Sequence, residues 1–365
     1  QFGESDRRDY PSKNARITWG ADINGQGNIA VNLEWSETAA LWAPDRAEWT
    51  AASITQTNPA NTSNTDGEPQ VTFIPDARFW EFNYNGVLFA PPDPTGGSCG
   101  GFPLRCFITL NGLRYNQFNP AGGIPAQFDT AGTGLIPYDP GTFISPGPSI
   151  PTSSGGDGFE FTALNALTSP VERMNFNVIG HYDLSDSLRL STELLLSSTE
   201  GSNPQGQPPS NSILNSAATG SGAISIRADN AFLSPSARQG IINYLNTTAL
   251  FGPGGGFGWA AGAPLPVFLS KIWYDLVPDN AQRREADAYR IAVALDGDFD
   301  VSGRNYTWQL SANQSGSETS TRNWGVWASR FNAAIDARLS GGNPVCFNNI
   351  DPNPNNNDPN CAPIN

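Results

Sequence analysis

Apolar and polar residues alternate with a period of two in three stretches of the chain, and each stretch contains a short turn near its middle. The stretches lie at about 16–36, 172–198 and 286–314. Because successive side chains of a strand point to opposite faces, this pattern predicts three antiparallel β-hairpins with one apolar and one polar face. The residues expected to face outward on the apolar side include Ile29, Val31, Leu33, Phe176, Val178, Leu190, Ile291, Val293 and Trp308.

Long segments rich in Gly, Pro, Asn, Ser and Thr separate the hairpins. They cover about 37–171, 199–285 and 314–365. Two short helices are predicted within them. One begins with Ser234 as N-cap and Pro235 as the first helical residue. The other has apolar residues four apart from Trp327 to Leu339, with Gly341 placed to end it.

Short turns at one end of the strands and very long loops at the other are typical of outer-membrane β-barrels. A soluble β-sandwich, whose apolar face would pack on a second sheet, has the same alternation and stays open as an alternative. Structureless loops of this length are rare inside compact domains. The pattern therefore favours an all-β fold: an antiparallel transmembrane β-barrel segment with long extracellular loops that contain short helices.

Composition and charge exclude several other classes of protein. The net charge of −14 argues against a nucleic-acid partner, which requires a basic surface. The 38 Gly and 30 Pro argue against a helical bundle. The longest uncharged stretch, 239–270, is interrupted by Gly and Pro, so we expect no transmembrane helix.

The four cysteines form two local pairs, Cys99 with Cys106 and Cys346 with Cys361, and each pair lies among turn-forming residues. An even number of cysteines that closes two short loops predicts disulfides and an oxidising compartment. A metal site is not expected, because the chain has no C-x-x-C motif and its one histidine, His181, is far from both pairs in sequence.

No catalytic constellation is visible, and neither an enzyme nor a cofactor is predicted. A hydrolase would have to use His181, which the alternation places on the polar face beside a turn. Aromatic residues in the glycine-rich long segments are the candidates for ligand binding, because their rings could stack on a sugar or an aromatic ligand. They could equally form small cores of the loops or membrane anchors. These residues are Phe257, Trp259, Trp273, Tyr274, Trp324 and Trp327.

An ordered series of segments resembles TonB-dependent receptors. Residues 169–186, followed by a strand that carries Glu193, resemble a barrel hairpin of that family. The segment 229–234 is similar to its Asn-Pro-Phe-Leu loop element, with Ala231 in place of Pro. Residues 284–309 resemble the next hairpin, and 331–365 resembles an extracellular loop with a helix and a cysteine pair. The matches are spread over about 16–36 and 156–365.

The resemblance implies a receptor in the bacterial outer membrane with a barrel of about 22 strands, an N-terminal plug and a TonB box. Its partners would be TonB through the plug, outer-membrane lipid, and a small-molecule or glycan ligand such as a siderophore, cobalamin or carbohydrate. Neither plug nor TonB box is recognisable, so we expect the N-terminal part of the barrel. Arg173, Arg189, Glu193 and Arg290 would face its lumen. A diffusion porin and a secreted glycan-binding protein or adhesin are the alternatives.

Overall fold

The structure is a computed structural model. It describes residues 1–46, 53–58, 60–63, 65–90, 106–115, 122–145, 152–160, 166–203, 224–247, 266–273, 282–324 and 327–365. The chain forms two compact units. The first, called here the sheet unit, comprises Gln1–Arg46, Leu164–Gly206 and Pro278–Trp324. The second, called the insertion unit, comprises Ala47–Ala163, Gln207–Val277 and Gly325–Asn365.

The sheet unit contains a seven-stranded antiparallel sheet in which strands adjacent in the chain order are also neighbours in the sheet. The strands are β1 (Phe2–Gly3), β2 (Ser12–Asp22), β3 (Gly27–Thr38), β4 (Val171–Ser185), β5 (Leu188–Asn203), β6 (Gln282–Val301) and β7 (Arg304–Asn323). The three hairpins expected from the sequence correspond to β2–β3, β4–β5 and β6–β7. The observed strands are longer, because they continue beyond the apolar stretch into residues that are polar on both faces. A separate short pair joins Leu41–Trp42 to Ala166–Thr168.

Two of the hairpin turns are set by residues in the left-handed region. Asn24 and Gly25, with φ of 53° and 73°, form the two-residue turn between β2 and β3. Ser302 and Gly303, with φ of 53° and 78°, do the same between β6 and β7. Positive φ at both central positions is the requirement of a type I′ turn, whose twist matches that of the flanking strands.

The strand register brings the apolar residues of neighbouring strands into rows on one face. One row contains Trp19, Val31, Val178, Leu194 and Ile291, each opposite the next on the neighbouring strand. Because the side-chain period of a strand is two, a single matched row fixes the face of every other residue in the sheet.

The insertion unit is also mainly β-sheet. A five-stranded sheet has the order Leu135–Pro137, Ala126–Phe128, Val87–Phe89, Pro266–Ser270 and Ser225–Arg227. A four-stranded sheet has the order Thr142–Ser145, Thr152–Ser154, Ala77–Phe79 and Phe159–Glu160. Two hairpins pair Ile54–Thr57 with Val71–Ile74 and Ala337–Ser340 with Asn343–Cys346. The helices are α1 (Pro235–Thr247) and α2 (Ala328–Ile335).

The three long segments share one hydrophobic core. Leu88 and Ile108 from the first segment, Ile241 and Val267 from the second, and Ile335 from the third belong to a single cluster of buried side chains. Hydrogen bonds of the two sheet strands Val87–Phe89 and Pro266–Ser270 join the first and second segments. The three segments therefore fold together.

Helix α1 begins where the sequence predicts, and the side chain of Ser234 accepts a hydrogen bond from the backbone N–H of Ala237 at 3.2 Å. Helix α2 ends four residues earlier than Leu339, which lies in the strand Ala337–Ser340. Gly341, with φ of 59°, lies in the turn of that hairpin and does not cap the helix. Pairing with Asn343–Cys346 takes the backbone groups that a longer helix would use. Neither helix in the described part of the chain has the length and apolar character needed to cross a membrane.

Candidate functional surfaces

The sheet unit exposes a continuous apolar face that extends over β2 to β7. All nine residues expected to face outward lie on it by register. Many of its side chains are more than a third exposed: Ile17, Trp19, Leu33, Met174, Leu196, Tyr289, Ile291, Val293, Phe299, Tyr306, Trp308 and Leu310. Soluble monomers rarely expose a contiguous apolar patch larger than a few hundred Å². An exposed apolar face of this kind is typical of surfaces that contact another protein or a membrane.

A row of charged residues borders this face at the strand ends away from the short turns. The row consists of Lys13, Glu37, Glu172, Glu200 and Glu285, each opposite the next on the adjacent strand. The ammonium nitrogen of Lys13 lies 3.1 Å from the carboxylate of Glu37. The indole N–H of Trp35 donates to Glu172 at 2.8 Å. The apolar face thus ends abruptly at a line of carboxylates.

Aromatic residues border the opposite end of the face, beside the short turns. Phe299 and Tyr306 face each other across β6 and β7 and stack with ring centroids 5.7 Å apart. The hydroxyl of Tyr182 donates to the side-chain oxygen of Gln26 at 2.7 Å. Phe299, Tyr306 and Tyr182 thus place three aromatic rings at this border of the face.

Two aromatic rings on the apolar face lie over glycines of the neighbouring strand. A Cβ added to Gly297 would be 2.5 Å from Cε2 and Cζ2 of Trp308. A Cβ added to Gly316 would be 2.7 Å from Cε1 of Tyr289. Each ring covers backbone that has no side chain of its own, an arrangement that stabilises glycine within sheets.

The four residues expected to face a lumen lie together on the opposite, polar face of the sheet. Arg173 is paired with Thr199 in the strand register. Arg290 Nη1 lies 3.5 Å from Glu193 Oε1, and Arg189 Nε lies 2.6 Å from Asp183 Oδ1. The side chains of these ion pairs are about half exposed. They place charges of both signs on this face and interrupt its apolar surface.

Two apolar residues, Ile179 and Leu195, lie on the polar face and are exceptions to the alternation. Ile179 is 57% exposed and lies opposite Glu193 on β5 and Ala30 on β3. Leu195 lies opposite Asn177 on the same face. The sequence alone does not distinguish Ile179 and Leu195 from their neighbours on the apolar face. Only the strand register assigns these two residues to the polar face.

The structure separates the aromatic residues proposed for ligand binding. Trp273 is 5% exposed and packs edge-to-face on Phe331, so it is a core residue and not a surface platform. Trp324 and Trp327 are 63% and 68% exposed. The guanidinium of Arg330 lies 4.7 Å from the ring centre of Trp327. Phe257, Trp259 and Tyr274 lie outside the described residues.

The cysteine pair near the end of the chain forms the predicted disulfide, Cys346–Cys361. Cys346 ends the second strand of the hairpin with Ala337–Ser340 and is 1% exposed. Cys106 is also disulfide-bonded and buried, and Cys99 lies outside the described residues.

Titratable groups of the insertion unit take part in its structure. The Tyr138 hydroxyl donates to the carbonyl of Trp80 at 2.6 Å, and burial raises its pKa well above the ordinary value. Hydrogen bonds from the backbone N–H groups of Gly134 and Thr133 lower the pKa of Asp129. Burial raises the pKa of Asp336. Within the described ranges, no three His, Cys, Asp or Glu side chains gather in a way that could hold a metal ion.

Compared with protein-family models, curated proteins and solved structures, the chain has no match.

Proposed function

We propose that this chain forms part of the β-barrel of an outer-membrane receptor that takes up a bulky nutrient with energy delivered by TonB. The continuous exposed apolar face of the sheet unit is the observation that carries the proposal. An open sheet with such a face is stable only if a second apolar layer or a lipid phase covers it.

The height of the apolar face supports lipid as that cover. On β6 the face extends from Tyr289 to Phe299, a difference of ten positions in the numbering. At about 3.3 Å per residue this is ~33 Å along the strand. A strand tilted by about 40° then spans ~25 Å, the height of the apolar band in outer-membrane barrels. The charged row at one border and the aromatic residues at the other agree with the two water interfaces of such a band.

The outer edge of the sheet supports a barrel over an isolated sheet. Within the described residues, the 20-residue strand β7 pairs with β6 along one edge, and its other edge has no strand partner. A long unpaired edge exposes many backbone hydrogen-bonding groups and cannot be tolerated in lipid. Pairing with a further strand of the same barrel satisfies these groups. The polar face with Arg173, Arg189, Glu193 and Arg290 would then line the lumen and set its electrostatic field.

The insertion unit favours a receptor over a simple diffusion pore. Its three segments leave the strands at the ends opposite the short turns, and they share a core that holds a defined surface. Such a surface is suited to binding a ligand before uptake. The energised, TonB-dependent step rests on the series of segments that resembles TonB-dependent receptors, and the nutrient class would be a siderophore, cobalamin or a carbohydrate.

The test uses bacteria that carry the full-length protein containing this chain, with and without TonB. Membrane fractionation should place the protein in the outer membrane. Uptake of radiolabelled ferrichrome, radiolabelled cobalamin and a fluorescent oligosaccharide should show one substrate whose uptake requires the protein. That uptake should vanish without TonB, whereas binding to the cell surface persists. Uptake unchanged without TonB would establish the porin instead, and recovery of the protein from the medium would establish the secreted binding protein.

A further inference from the structure

A groove of about 550 Å³ crosses the apolar face of the sheet unit beside its charged border. Two adjacent rows of the strand register line the groove and are called here the inner row and the outer row. The inner row consists of Phe176, Leu196, Tyr289 and Gly316. The outer row consists of Met174, Ser198, Asp287 and Glu318. A volume of several hundred Å³ is typical of clefts that bind small molecules.

The floor of the groove is formed where side chains are small. Gly316 has no side chain, and the Tyr289 ring lies over its backbone. Ser198 is short and lies opposite Met174 on the neighbouring strand. Around this depression the side chains of Met174, Leu196 and Tyr289 are 51%, 43% and 40% exposed. An apolar occupant can therefore lie against them and remove this surface from water.

Two carboxylates close the groove at its outer end. Asp287 and Glu318 face each other across β6 and β7. Like charges directly opposite each other destabilise a sheet. Within the described ranges, neither carboxylate has an ion pair or a hydrogen bond, and the guanidinium of Arg283, on the same face, contacts Glu200 instead. The outer end of the groove therefore lacks the positive charge that would balance it.

We propose that this groove binds a membrane lipid whose head group carries a primary ammonium. The inference rests on the proposed function, because it takes the apolar face to be in contact with lipid. An acyl chain of the lipid lies along the inner row, against Phe176, Leu196 and Tyr289. The ammonium lies at the outer row, where its N–H groups donate to Asp287 and Glu318.

The head group distinguishes this lipid from others that have the same acyl chains. An ammonium has three N–H donors and a positive charge, so one head group can engage two opposed carboxylates. A quaternary ammonium keeps the charge but has no N–H to donate. Because charge-assisted hydrogen bonds are about twice as strong as neutral ones, the primary ammonium should be the preferred head group.

The test compares phosphatidylethanolamine with phosphatidylcholine that carries identical acyl chains. Both lipids are zwitterionic, and only the ethanolamine head group has ammonium N–H donors. The full-length protein that contains this chain is purified in detergent with a chelator of divalent cations, stripped of lipid and mixed with equal amounts of the two lipids. Native mass spectrometry then counts the lipid molecules that stay bound. Phosphatidylethanolamine should be retained about tenfold more than phosphatidylcholine.

Three variants locate this preference. Asp287→Asn combined with Glu318→Gln removes both charges and keeps similar shapes, and both lipids should then bind alike. Ser198→Phe fills the floor of the groove and keeps both carboxylates, and it should lower the retention of both lipids about tenfold. Asp296→Asn removes a carboxylate from the polar face, opposite Arg189, and should keep the wild-type preference. Near-UV circular dichroism checks that each variant is folded.

Equal retention of the two lipids by the wild-type protein overturns the inference. A folded protein with Asp287→Asn and Glu318→Gln that keeps the preference overturns it as well. If the variants do not fold, the comparison of the two lipids on the wild-type protein decides. A protein that lies in the outer membrane and requires TonB for uptake, but retains both lipids equally, refutes this inference alone. A protein recovered from the medium refutes the proposed function and this inference with it.

Discussion

Gly297 and Gly316 are each covered by an aromatic ring from the adjacent strand. Glycine is needed at both positions because a side chain would occupy the space of the ring. In sequence, Gly297 lies between two aspartates and reads as part of a polar turn. Only the register, which sets Gly297 opposite Trp308, reveals the pair. A contact of this kind joins residues on two different strands. The pattern of apolar and polar residues within one strand therefore cannot predict it.

We predict that Gly297→Ala destabilises the protein by about 1–3 kcal/mol, because the new methyl group would force the Trp308 ring off Gly297. Gly201→Ala is the matched control in a strand of the same sheet. Its Cβ would meet Pro170 O at 3.5 Å, an ordinary contact. Unfolding by denaturant, followed by tryptophan fluorescence, measures both. Equal effects of the two substitutions would contradict the proposed contact.

Asp336 is expected to make stability fall as pH rises, because burial raises its pKa in the folded protein above the ordinary 3.8. The stabilisation from its neutral form is fully present below that value and is lost as pH rises through the folded pKa. Asp336→Asn cannot ionise. We therefore predict that the thermal midpoint of Asp336→Asn gains on the wild type between about pH 4 and pH 7.

Asp129→Asn serves as a control of opposite sign. Backbone N–H groups lower the pKa of Asp129, so its stabilisation is present above 3.8 and is lost as pH falls. Between about pH 4 and pH 7 the difference between Asp129→Asn and the wild type should therefore be constant, and Asp129→Asn should gain on the wild type only as pH falls below about 3.8. A thermal midpoint difference that is constant with pH for Asp336→Asn would contradict the assignment of its raised pKa.

At the scale of elements, the sequence predicted those helix boundaries that depend only on residues close together in the chain. Ser234 and Pro235 located the start of α1, because an N-cap and a proline at the first helical position act within a few residues. The end of α2 was placed too late, because the hairpin that follows it depends on pairing of Ala337–Ser340 with Asn343–Cys346. The sheets of the insertion unit were missed for the same reason: their strands are short, and their partners come from other segments.

The N-cap of α1 can be tested directly. Ser234→Ala removes the acceptor for the N–H of Ala237 and should cost about 1 kcal/mol of stability. Ser236→Ala removes a hydroxyl that lies 3.0 Å from the Ser234 hydroxyl but leaves the hydrogen bond from Ala237 to Ser234 in place, so it should change stability by less than about 0.5 kcal/mol. Denaturant midpoints of the two variants give the comparison. A cost for Ser236→Ala as large as that for Ser234→Ala would argue against the cap.

The disulfide Cys346–Cys361 fastens the last segment of the insertion unit. It closes a loop with a sequence separation of 15, for which chain entropy predicts about 3 kcal/mol of stabilisation. Replacing both cysteines by serine should lower the free energy of unfolding by about that amount, and a reducing agent should lower that of the wild type further, because it also breaks the disulfide of Cys106. Non-reducing peptide mapping should recover this link and a second link between Cys99 and Cys106. Recovery of peptides that cross-link the two pairs would contradict it.

At the scale of the whole molecule, the sequence predicted both faces of the sheet and little of the insertion unit. Alternation assigns faces correctly because one register, once set, propagates over every residue of the six long strands. In the long segments, no comparable regularity of the sequence predicts which side chains are exposed. Trp273 and Trp327 both lie in long segments between the hairpins, yet Trp273 is 5% and Trp327 68% exposed, because burial there depends on which segments pack together.

The central claim is that lipid covers the apolar face of the sheet unit, and β6 provides the most direct test. Spin labels are placed singly at Ile291, Ala292, Val293 and Ala294 in the full-length protein, reconstituted in lipid vesicles. Collisions with oxygen, which concentrates in lipid, are compared with collisions with a water-soluble nickel chelate. We predict alternation with a period of two: labels at Ile291 and Val293 collide mainly with oxygen, and labels at Ala292 and Ala294 mainly with nickel. Labels at Ile291 and Val293 that collide with nickel as often as their neighbours, or with neither reagent, would contradict the account.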